Sequence, residues 1–251
     1  EFSLQSFCDG DTVVDTIPVQ DHKRAGEDDT GPNTGGMGSY SCEDHRLPFL
    51  APEHLEAASR INAAVARALR EKIGQPYRGV LYGGFMLTAK GIRLLEYNAR
   101  MGDSEAMNVL ALLDTSFLTV CEAIVSGALT RAHVRFKARA SVCKYVVPKN
   151  YPTSPVRGAP IDLEGLPPAG DDLRVYLAGV QEESDGTMLL TGSRAVAVVG
   201  IGRTVADAEA IAEDAARRVG GPVEHRKDIG SPRLLQKRVR HIESIMRAAV
   251  T

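Results

Sequence analysis

The sequence lacks the features that mark a membrane-spanning, disulfide-stapled or nucleic-acid-binding chain. It has no apolar run near the ~20 residues that a helix needs to cross a bilayer. Its four cysteines, Cys8, Cys42, Cys121 and Cys143, lie far apart without a CxxC pair, which indicates reduced thiols rather than a zinc site or a disulfide framework. The net charge of -2 provides no overall field that would attract nucleic acid or an anionic membrane.

What remains is the composition of an ordinary globular protein. Hydrophobic residues make up 43% of the 251 residues and charged residues 25%, enough for one large or two modest domains with a sizeable core. The scattered, apparently reduced cysteines lead us to expect a cytoplasmic protein. The first residue is Glu1 rather than Met, inside a β-prone run, and we therefore expect further sequence upstream.

The stretch 77–105, YRGVLYGGFMLTAKGIRLLEYNARMGDSE, organises the first half of the chain. Two β-prone runs flank a glycine-containing turn, which predicts a β-hairpin. The second run ends with Glu96, Asn98 and Arg100 at a spacing of two, so on a strand they would share one face. Glu96 and Asn98 offer hard oxygen ligands suited to Mg²⁺, and Arg100 suits phosphate or carboxylate oxygens. The alternative interpretation is the solvated face of an ordinary alternating strand.

A helix is predicted directly after this strand, from Ser104 to Ser126, with Asp103 or Ser104 as its cap. A strand that leads charged groups into a helix N-terminus is a common arrangement for holding anions. The predicted helix start directly after the strand favours a binding role for Glu96, Asn98 and Arg100 over a merely solvated strand face.

Residues 20–41 hold a second concentration of polar groups. Gln20–Arg24 packs three charges and a histidine into five residues, and half of the residues in Gly31–Gly38 are glycine. Glycines let backbone amides converge on an anion, but the spacing is neither that of a Walker loop nor that of GxGxxG. A solvated strand end and a mobile surface loop are the alternatives.

The pattern along the whole chain predicts an α+β protein of two domains, 1–134 and 135–251. Near the start, β-prone runs at Phe2–Cys8 and Thr12–Gln20 joined by Asp9-Gly10 predict a hairpin whose second strand is an edge or ends at Pro18.

Helices are expected at Pro52–Gly74, at 204–219, where Thr204 is the cap and Asp207 follows three residues on, and at about Pro232–Ala249. Further β-prone runs lie at 141–147, 173–179, 187–191 and 194–201. The charged segment His225–Asp228 could approach a phosphate, but a surface turn is the preferred interpretation.

Three blocks of this sequence resemble one enzyme family. QDHKRAGEDDTGPNTGGMGSYS, GVLYGGFMLT and LLEYNARMGDSEAM are similar to the phosphoribosylamine–glycine ligase family of ATP-grasp enzymes, and the similarity continues through LTGSRAVAVVGIGRTVADAEAIA and HRKDIG. The first block is specific to this family, whereas Glu-x-Asn-x-Arg alone would indicate only an ATP-grasp member. The resemblance implies the second part of an ATP-grasp nucleotide-binding domain followed by a small C-terminal α+β domain.

The resemblance also implies a reaction. ATP would phosphorylate glycine to glycyl phosphate, and 5-phosphoribosylamine would then displace phosphate to give glycinamide ribonucleotide, in purine biosynthesis. Such chemistry needs Mg²⁺ or Mn²⁺ on the nucleotide phosphates and cations for the developing charge, but no covalent protein nucleophile.

Roles for individual residues follow from the matched motifs. Glu96 and Asn98 match the metal ligands, while Arg100 and Lys23 would act on the transferring phosphoryl group. The remaining positions would bind substrate or phosphate: Asp21, Arg24, Asn33, Thr34, Gly35, Gly36, Asp103 and Glu105.

The sequence departs from the family pattern in three places. Gly83-Gly84 stands where many ATP-grasp enzymes carry a second metal carboxylate. The residues after Arg100 read Met-Gly-Asp-Ser-Glu-Ala-Met, so the Asp and Glu of the usual motif are kept while its Pro, Thr and Gln are not. The family's N-terminal half is absent, so we expect it as a missing partner and this chain alone to be catalytically incomplete.

Two alternatives stay open at this point. The chain could belong to another ATP-grasp carboxylate–amine ligase, such as one that uses formate or bicarbonate, or it could be a non-catalytic split subunit or scaffold. The expected partners are small molecules, with no nucleic acid and no membrane, and the protein would be a monomer or a homodimer.

Overall fold

A computed structural model describes residues 1–248 of the chain, which form two compact units. The first unit comprises residues 1–20, 44–138 and 235–248, and the second comprises Asp21–Glu43 and Arg139–Leu234. The strands are β1 Phe2–Asp9, β2 Val13–Asp15, β3 Gln20–Asp21, β4 Arg24–Gly26, β5 Thr30–Asn33, β6 Gly38–Ser41, β7 Arg78–Thr88, β8 Gly91–Asn98, β9 Ala140–Pro148, β10 Leu173–Leu177, β11 Val180–Glu182, β12 Met188–Leu190, β13 Val196–Gly202 and β14 Val223–His225. The helices are α1 Pro52–Ile73, α2 Glu105–Leu112, α3 Phe117–Ser126, α4 Val205–Arg218 and α5 Pro232–Ala248.

The first unit is built on a four-stranded antiparallel sheet in the order β2-β1-β7-β8. Both predicted hairpins are confirmed: β1 turns back into β2, and β7 turns back into β8 through Ala89 and Lys90. The second run of the first hairpin is an interrupted strand, because β2 ends at Asp15 and strand pairing with β1 resumes only at Val19, whose amide donates to the Ser3 carbonyl (3.0 Å) and whose carbonyl accepts from the Ser3 amide (2.8 Å). Pro18 lies in the gap, and proline has no backbone N–H to give to a sheet ladder.

Helix α1 begins and ends as the sequence predicts. Pro52 occupies its first turn, and Gly74 ends it in the left-handed region at φ 72, with its amide donating to the Arg70 carbonyl (2.9 Å). The side of α1 that faces the sheet includes a buried polar residue, Asn62.

The prediction of one helix from Ser104 to Ser126 was wrong, because the chain forms two shorter helices there. The chain leaves α2 after Leu112 and becomes extended at Leu113. The amide of Asp114 donates to the Arg135 carbonyl (2.8 Å), and Leu113 forms a bridge with Phe136. This pairing with a distant segment interrupts the helix, which resumes as α3 and ends at the predicted Gly127.

The second unit is built on a sheet in the order β10-β13-β9-β6-β3, with β14 also paired to β9. Strand β9 is central, and all nine of its residues are buried. Helix α4 packs on this sheet, and Thr204 caps it as predicted: its side chain accepts from the Asp207 amide (3.2 Å), and the Asp207 carboxylate accepts from the Thr204 amide (3.2 Å).

The compact units do not follow a single cut in the sequence. A change of unit lies at Arg139, near the predicted boundary at 134, but Asp21–Glu43 folds with the C-terminal unit. The reason is that β6 pairs with β9, which joins Gly38–Ser41 to residues about one hundred positions later. The division into domains 1–134 and 135–251 stays a prediction about the sequence, and it differs from the compact units.

Both units combine antiparallel strands with helices, which confirms the α+β class. Each has an apolar cluster of its own, centred on Phe7, Val120 and Leu129 in the first unit and on Val146, Val196 and Ala215 in the second. The predicted end of the last helix at Ala249 lies outside the described residues. Over residues 1–248, every helix is too short or too polar to span a membrane.

Gly200 of β13 offers a test of how closely α4 packs on the sheet. A Cβ there would lie 2.0 Å from the Ala208 carbonyl oxygen and 2.7 Å from the Ala212 amide nitrogen, both backbone atoms of α4. We expect Gly200→Ala to lower the free energy of unfolding by about 2 kcal/mol through overpacking. Gly170→Ala is the control, because nothing lies within 4 Å of a Cβ at that position. Urea unfolding measures both variants, and equal stabilities would contradict the close contact.

Candidate active site

The metal-ligand candidates Glu96 and Asn98 lie at the end of edge strand β8. Glu96 is paired with Gly84 and Asn98 with Tyr82 across the ladder. The register shifts between Gly84 and Phe85, since Phe85 pairs with Leu94, and Leu95 is thus an extra residue. Beyond this bulge the strand alternates regularly, so Glu96 and Asn98 share one face.

The glycine opposite Glu96 leaves room for that side chain. A Cβ at Gly84 would lie 3.3 Å from Cγ of Glu96, so most other residues would crowd the carboxylate. Glu96 is exposed, and Asn98 is half-buried. Among residues 1–248 there is no cluster of three or more His, Cys, Asp or Glu side chains that could hold a metal ion. A carboxylate and an amide fit Mg²⁺, which commonly completes its shell with substrate phosphates and water.

Arg100 lies just beyond the strand. Because β8 ends at Asn98, the strand alternation that predicted a row of three side chains does not extend to Arg100. Its guanidinium is exposed, and Nη1 donates to the Met101 carbonyl (2.8 Å). This bond fixes Arg100 against the loop that follows.

Two side chains of the sheet hold the loop 101–104. Gln5 Oε1 accepts from the Gly102 amide (2.9 Å), and the Tyr82 hydroxyl donates to Oε1 of Glu105 (2.9 Å). Glu105 is 2% exposed and opens α2, whereas Asp103 is exposed. The carboxylate of Glu105 therefore anchors the loop, and Asp103 is the acidic residue of this loop that faces solvent.

Asn62 of α1 fixes the opposite face of the sheet. Its amide nitrogen donates to the Leu4 carbonyl (3.1 Å) and the Ser6 hydroxyl (2.9 Å), and its Oδ1 accepts from the Tyr97 hydroxyl (2.9 Å). Since Tyr97 lies between Glu96 and Asn98, this network holds the strand that carries both ligand candidates. Burial raises the pKa of Tyr97 well above its ordinary value, so the phenol remains a neutral donor.

The remaining candidates lie in the second unit, around the β4–β5 hairpin of residues Arg24–Asn33. Lys23 precedes it, with Nζ 3.9 Å from Oδ2 of Asp21, and Thr34 follows it. The amide and the hydroxyl of Thr34 both donate to the Lys23 carbonyl (2.7 and 2.8 Å), and Thr34 Oγ1 accepts from the Gly36 amide (2.9 Å). Thr34 therefore closes the base of the hairpin and shapes the glycine loop.

Arg194 holds the glycine-rich loop from the other side. Its Nη1 donates to the carbonyls of Gly35 and Gly36 (both 3.0 Å), while the guanidinium lies over the Tyr145 ring at 4.3 Å from its centroid. A Cβ at Gly35 would lie 3.2 Å from this guanidinium. A side chain at Gly35 would therefore crowd the arginine that orders the loop.

The interpretation of His225–Asp228 as a surface turn was wrong for Arg226 and Asp228, although Lys227 between them is exposed. Arg226 is 1% exposed and Asp228 is 4% exposed. Nε and Nη2 of Arg226 donate to the two oxygens of Asp228 (2.9 and 2.7 Å), and Nη1 donates to Oδ1 of Asp29 (3.0 Å) and to the Arg24 carbonyl (3.1 Å). Burial alone would raise the pKa of Asp228, but its bonds to Arg226 and to the Asp28 amide hold that pKa below its ordinary value. We call Arg226 and Asp228 the clamp.

A buried lysine lies next to the clamp. Nζ of Lys144, in the central strand β9, donates to Glu209 and Glu213 of α4 (both 2.7 Å) and to the Lys227 carbonyl (2.9 Å). His225 Nε2 lies 3.1 Å from the same Glu213 carboxylate. Burial lowers the pKa of His225 despite the attraction of Glu213.

The predicted site residues thus fall into two groups. Glu96, Asn98, Arg100, Asp103 and Glu105 lie in the first unit, and the candidates between Asp21 and Gly36 lie in the second. Sequence reasoning missed Gln5, Asn62, Tyr82 and Arg194, which hold these groups in place, and it considered the clamp segment only as a surface turn or a phosphate contact. The partners of all these residues are distant in the sequence, so no local pattern revealed their role.

Comparison with known proteins matches both halves of the chain to domains of one family. Residues 1–106 match the ATP-grasp (A) domain of phosphoribosylglycinamide synthetase, and residues 141–232 match its C domain. A phosphoribosylamine–glycine ligase of Methanocaldococcus jannaschii is 51% identical over 249 residues, which cover 98% of this chain and 55% of that protein.

Two solved structures extend the comparison. The phosphoribosylamine–glycine ligase of Thermotoga maritima superimposes with a TM-score of 0.76 at 30% identity, covering 91% of this chain and 55% of the other. The biotin carboxylase domain of Hydrogenobacter thermophilus 2-oxoglutarate carboxylase, solved with MgADP and bicarbonate, gives a TM-score of 0.62 at 15% identity, covering 96% and 48%. The second likeness concerns the fold alone. The chain spans about half the length of the relatives it matches.

Acid titration tests the buried Lys144 network. Burial alone would raise the pKa of Glu213, but the hydrogen bond and charge of Lys144, with His225, hold that pKa below its ordinary value. A depressed carboxyl pKa stabilises the fold above the unfolded value of about 4.3, and this contribution disappears as the pH falls through the folded pKa. We expect Glu213→Gln to reduce the free energy of unfolding by roughly 2 kcal/mol at pH 7.

The difference between the wild type and Glu213→Gln should shrink as the pH is lowered from 7 to 3. Urea unfolding at several pH values measures it, and the exposed Glu164→Gln is the control. A difference that does not change with pH would contradict an ionised, paired Glu213.

Proposed function

The chain belongs to the phosphoribosylglycinamide synthetase family, and on that premise we propose that it is part of an ATP-dependent ligase that joins glycine to 5-phosphoribosylamine. The observation that carries the proposal is the pair of oxygen ligands Glu96 and Asn98 on one face of β8, next to Arg100, in a chain 51% identical to a phosphoribosylamine–glycine ligase over 98% of its length. The products are glycinamide ribonucleotide, ADP and phosphate.

The reaction has two steps, and neither requires a covalent bond to the protein. A carboxylate oxygen of glycine attacks the γ-phosphorus of ATP, and the bond to ADP breaks as glycyl phosphate forms. The amine of 5-phosphoribosylamine then attacks the acyl carbon, phosphate leaves, and the nitrogen loses a proton. The protein contributes positioning and charge stabilisation to both steps.

Glu96 and Asn98 are the residues that would hold a divalent cation, Mg²⁺ or Mn²⁺. When bound, the cation neutralises the nucleotide phosphates and favours departure of ADP. Gly84 supports this assignment, because the space opposite Glu96 is kept free of a side chain. The Hydrogenobacter domain of the same fold was solved with MgADP.

The other residues bind anionic groups. Arg100 and Lys23 stabilise charge on the transferring phosphoryl group, and Arg24 neutralises substrate phosphate. Glycine and the acyl phosphate are bound by the loop residues and their acidic neighbours: Asp21, Asn33, Thr34, Gly35, Gly36, Asp103 and Glu105. Glu105, buried against Tyr82, takes part by holding the loop that carries Asp103.

We place this activity in the whole protein rather than in this chain alone. The relatives are about twice as long, and the remaining half supplies the rest of the nucleotide and phosphoribosylamine sites. The protein acts in the cytoplasm as a monomer or homodimer. All four cysteines are free thiols, which fits a reducing compartment.

The direct test is ADP release by the full-length protein that contains this chain. We expect ADP release only when glycine and 5-phosphoribosylamine are both present. Formate and bicarbonate in place of glycine are the matched controls. Turnover with either of them and not with glycine would assign another ATP-grasp ligase, and no ADP release with any acid would assign a non-catalytic role.

Removing the Glu96 carboxylate tests the metal site. We expect Glu96→Ala to abolish Mg²⁺-dependent turnover in the full-length protein while the melting temperature stays near that of the wild type, because the side chain is exposed. The exposed Glu71→Ala on α1 is the control and should keep full activity. Substantial turnover of Glu96→Ala at saturating Mg²⁺ would contradict the ligand role.

Replacing Arg100 by lysine tests the shape of the cation. A lysine keeps the charge but cannot form a bidentate fork with phosphoryl oxygens, so we expect kcat to fall about 100-fold. Arg93→Lys, exposed on β8 before Arg100, is the control. Steady-state kinetics of the full-length protein measure kcat for both variants. A kcat of Arg100→Lys near the wild-type value would mean that Arg100 has only a structural role.

A further inference from the structure

The Arg24–Asn33 hairpin has no apolar anchor in the second unit. None of its residues is buried, including those of the turn between β4 and β5. A cavity of about 360 Å³ lies against it, lined on the hairpin side by Gly26 and Pro32 and on the other by Tyr151 and Arg226. The hairpin therefore depends on polar contacts for its position.

The clamp supplies several of those contacts, to the start of β4 and to the turn. Arg226 Nη1 reaches the Arg24 carbonyl at the start of β4 (3.1 Å) and Oδ1 of Asp29 at the end of the turn (3.0 Å). Oδ2 of Asp228 accepts from the Asp28 amide (2.8 Å). Arg226 and Asp228 also bind each other through two buried hydrogen bonds. This pairing fixes the guanidinium relative to the carboxylate, so their contacts to the hairpin keep one geometry.

The turn that the clamp holds has an unfavourable backbone conformation. Asp28 and Asp29 lie in the left-handed region at φ 57 and 58. Residues other than glycine adopt two successive conformations of this kind only where surrounding contacts impose them. The clamp contacts both residues through the Asp28 amide and the Asp29 carboxylate. Arg233 Nη1 also reaches both carboxylate oxygens of Asp28 (2.9 Å each), and His22 Nδ1 lies 3.3 Å from Oδ1 of Asp29, so the clamp is one of the contacts that hold this turn.

We propose that Arg226 and Asp228 are positioning residues, which hold the Arg24–Asn33 hairpin so that Lys23, Arg24 and Asn33 are presented to the phosphate-bearing substrates. The assignment of those three residues rests on the proposed function. The role of the clamp rests on its contacts alone, some 200 residues from the hairpin in sequence.

Amide hydrogen exchange tests the positioning without any substrate. In Arg226→Lys and Asp228→Asn, we expect the amides of Asp28 and Thr34 to exchange at least about 10-fold faster than in the wild type, because each variant loses part of the clamp. The exchange rates of amides in β9 and β13 should stay within about twofold of the wild-type rates, which would show that the sheet is intact. The matched controls are Arg218→Lys and Asp214→Asn, which alter an exposed two-bond Arg–Asp pair on α4 (2.9 and 3.0 Å).

Kinetics of the full-length protein test the consequence for the reaction. A loosened hairpin is in the binding-competent conformation only part of the time, which lowers the apparent affinity of the protein for substrate. Saturating substrate returns the hairpin to that conformation. We expect the clamp variants to raise KM for ATP or for 5-phosphoribosylamine at least about 10-fold and to keep kcat within about threefold. A merely structural role would lower the active fraction, which reduces kcat and leaves both KM values unchanged.

The two measurements separate the possible failures. Faster exchange throughout β9 and β13 would make the clamp a general stabiliser and overturn the proposal, as would unchanged exchange at Asp28 and Thr34. Faster hairpin exchange with unchanged KM values would overturn its link to substrate binding. If the wild type shows no ligase turnover, the proposed function fails, and hydrogen exchange alone then decides whether the clamp positions the hairpin.

Discussion

The buried ammonium of Lys144 is the interaction on which the second unit depends. A charge with no exposed surface in the central strand is tolerated only when it is paired and fully hydrogen-bonded. Glu209 and Glu213 satisfy it from α4, and the Lys227 carbonyl satisfies it from the segment that contains the clamp. One strand residue thereby fixes the helix that covers the sheet and the backbone between Arg226 and Asp228. The clamp then holds the Arg24–Asn33 hairpin, so a core contact determines where surface cations are presented.

The first unit orders its candidate site in a different way, through hydrogen bonds of amide and hydroxyl side chains on both faces of one sheet. Asn62 joins α1 to β1 and to Tyr97 on one face, while Gln5 and Tyr82 hold the loop 101–104 on the other. Buried amides and hydroxyls with defined partners favour one register, since an unpaired polar group in the core is costly. Glu96 and Asn98 are therefore presented by a strand that is held on both sides, although their own side chains reach toward solvent.

Local patterns in the sequence predicted the elements whose signals are local. Pro52 and Gly74 bounded α1, Thr204 and Asp207 marked the start of α4, and the turn at Ala89 and Lys90 revealed the β7–β8 hairpin. Elements determined by distant partners were missed: residues 113–116 leave the helix because Asp114 pairs with Arg135, and Asp21–Glu43 joins the second unit because β6 pairs with β9. The same limit applies to the site, where chemistry pointed to Glu96 and Lys23, and the charge of His225–Asp228 was noticed, but nothing nearby in sequence showed that Arg226 is buried against Arg24 and Asp29.

The distribution of burial separates residues that stabilise the fold from those available for substrate. Arg226, Asp228 and Glu105 are charged yet buried, and each has protein partners at hydrogen-bond distance. Arg24 and Arg100 are exposed, and each donates to a nearby backbone carbonyl while most of its guanidinium remains open to solvent. An exposed arginine contributes little to stability through such a bond, because water competes for the same donors. Under the proposed function, these two exposed arginines are therefore the groups whose donors are available to phosphoryl oxygens, since the fold makes little use of them.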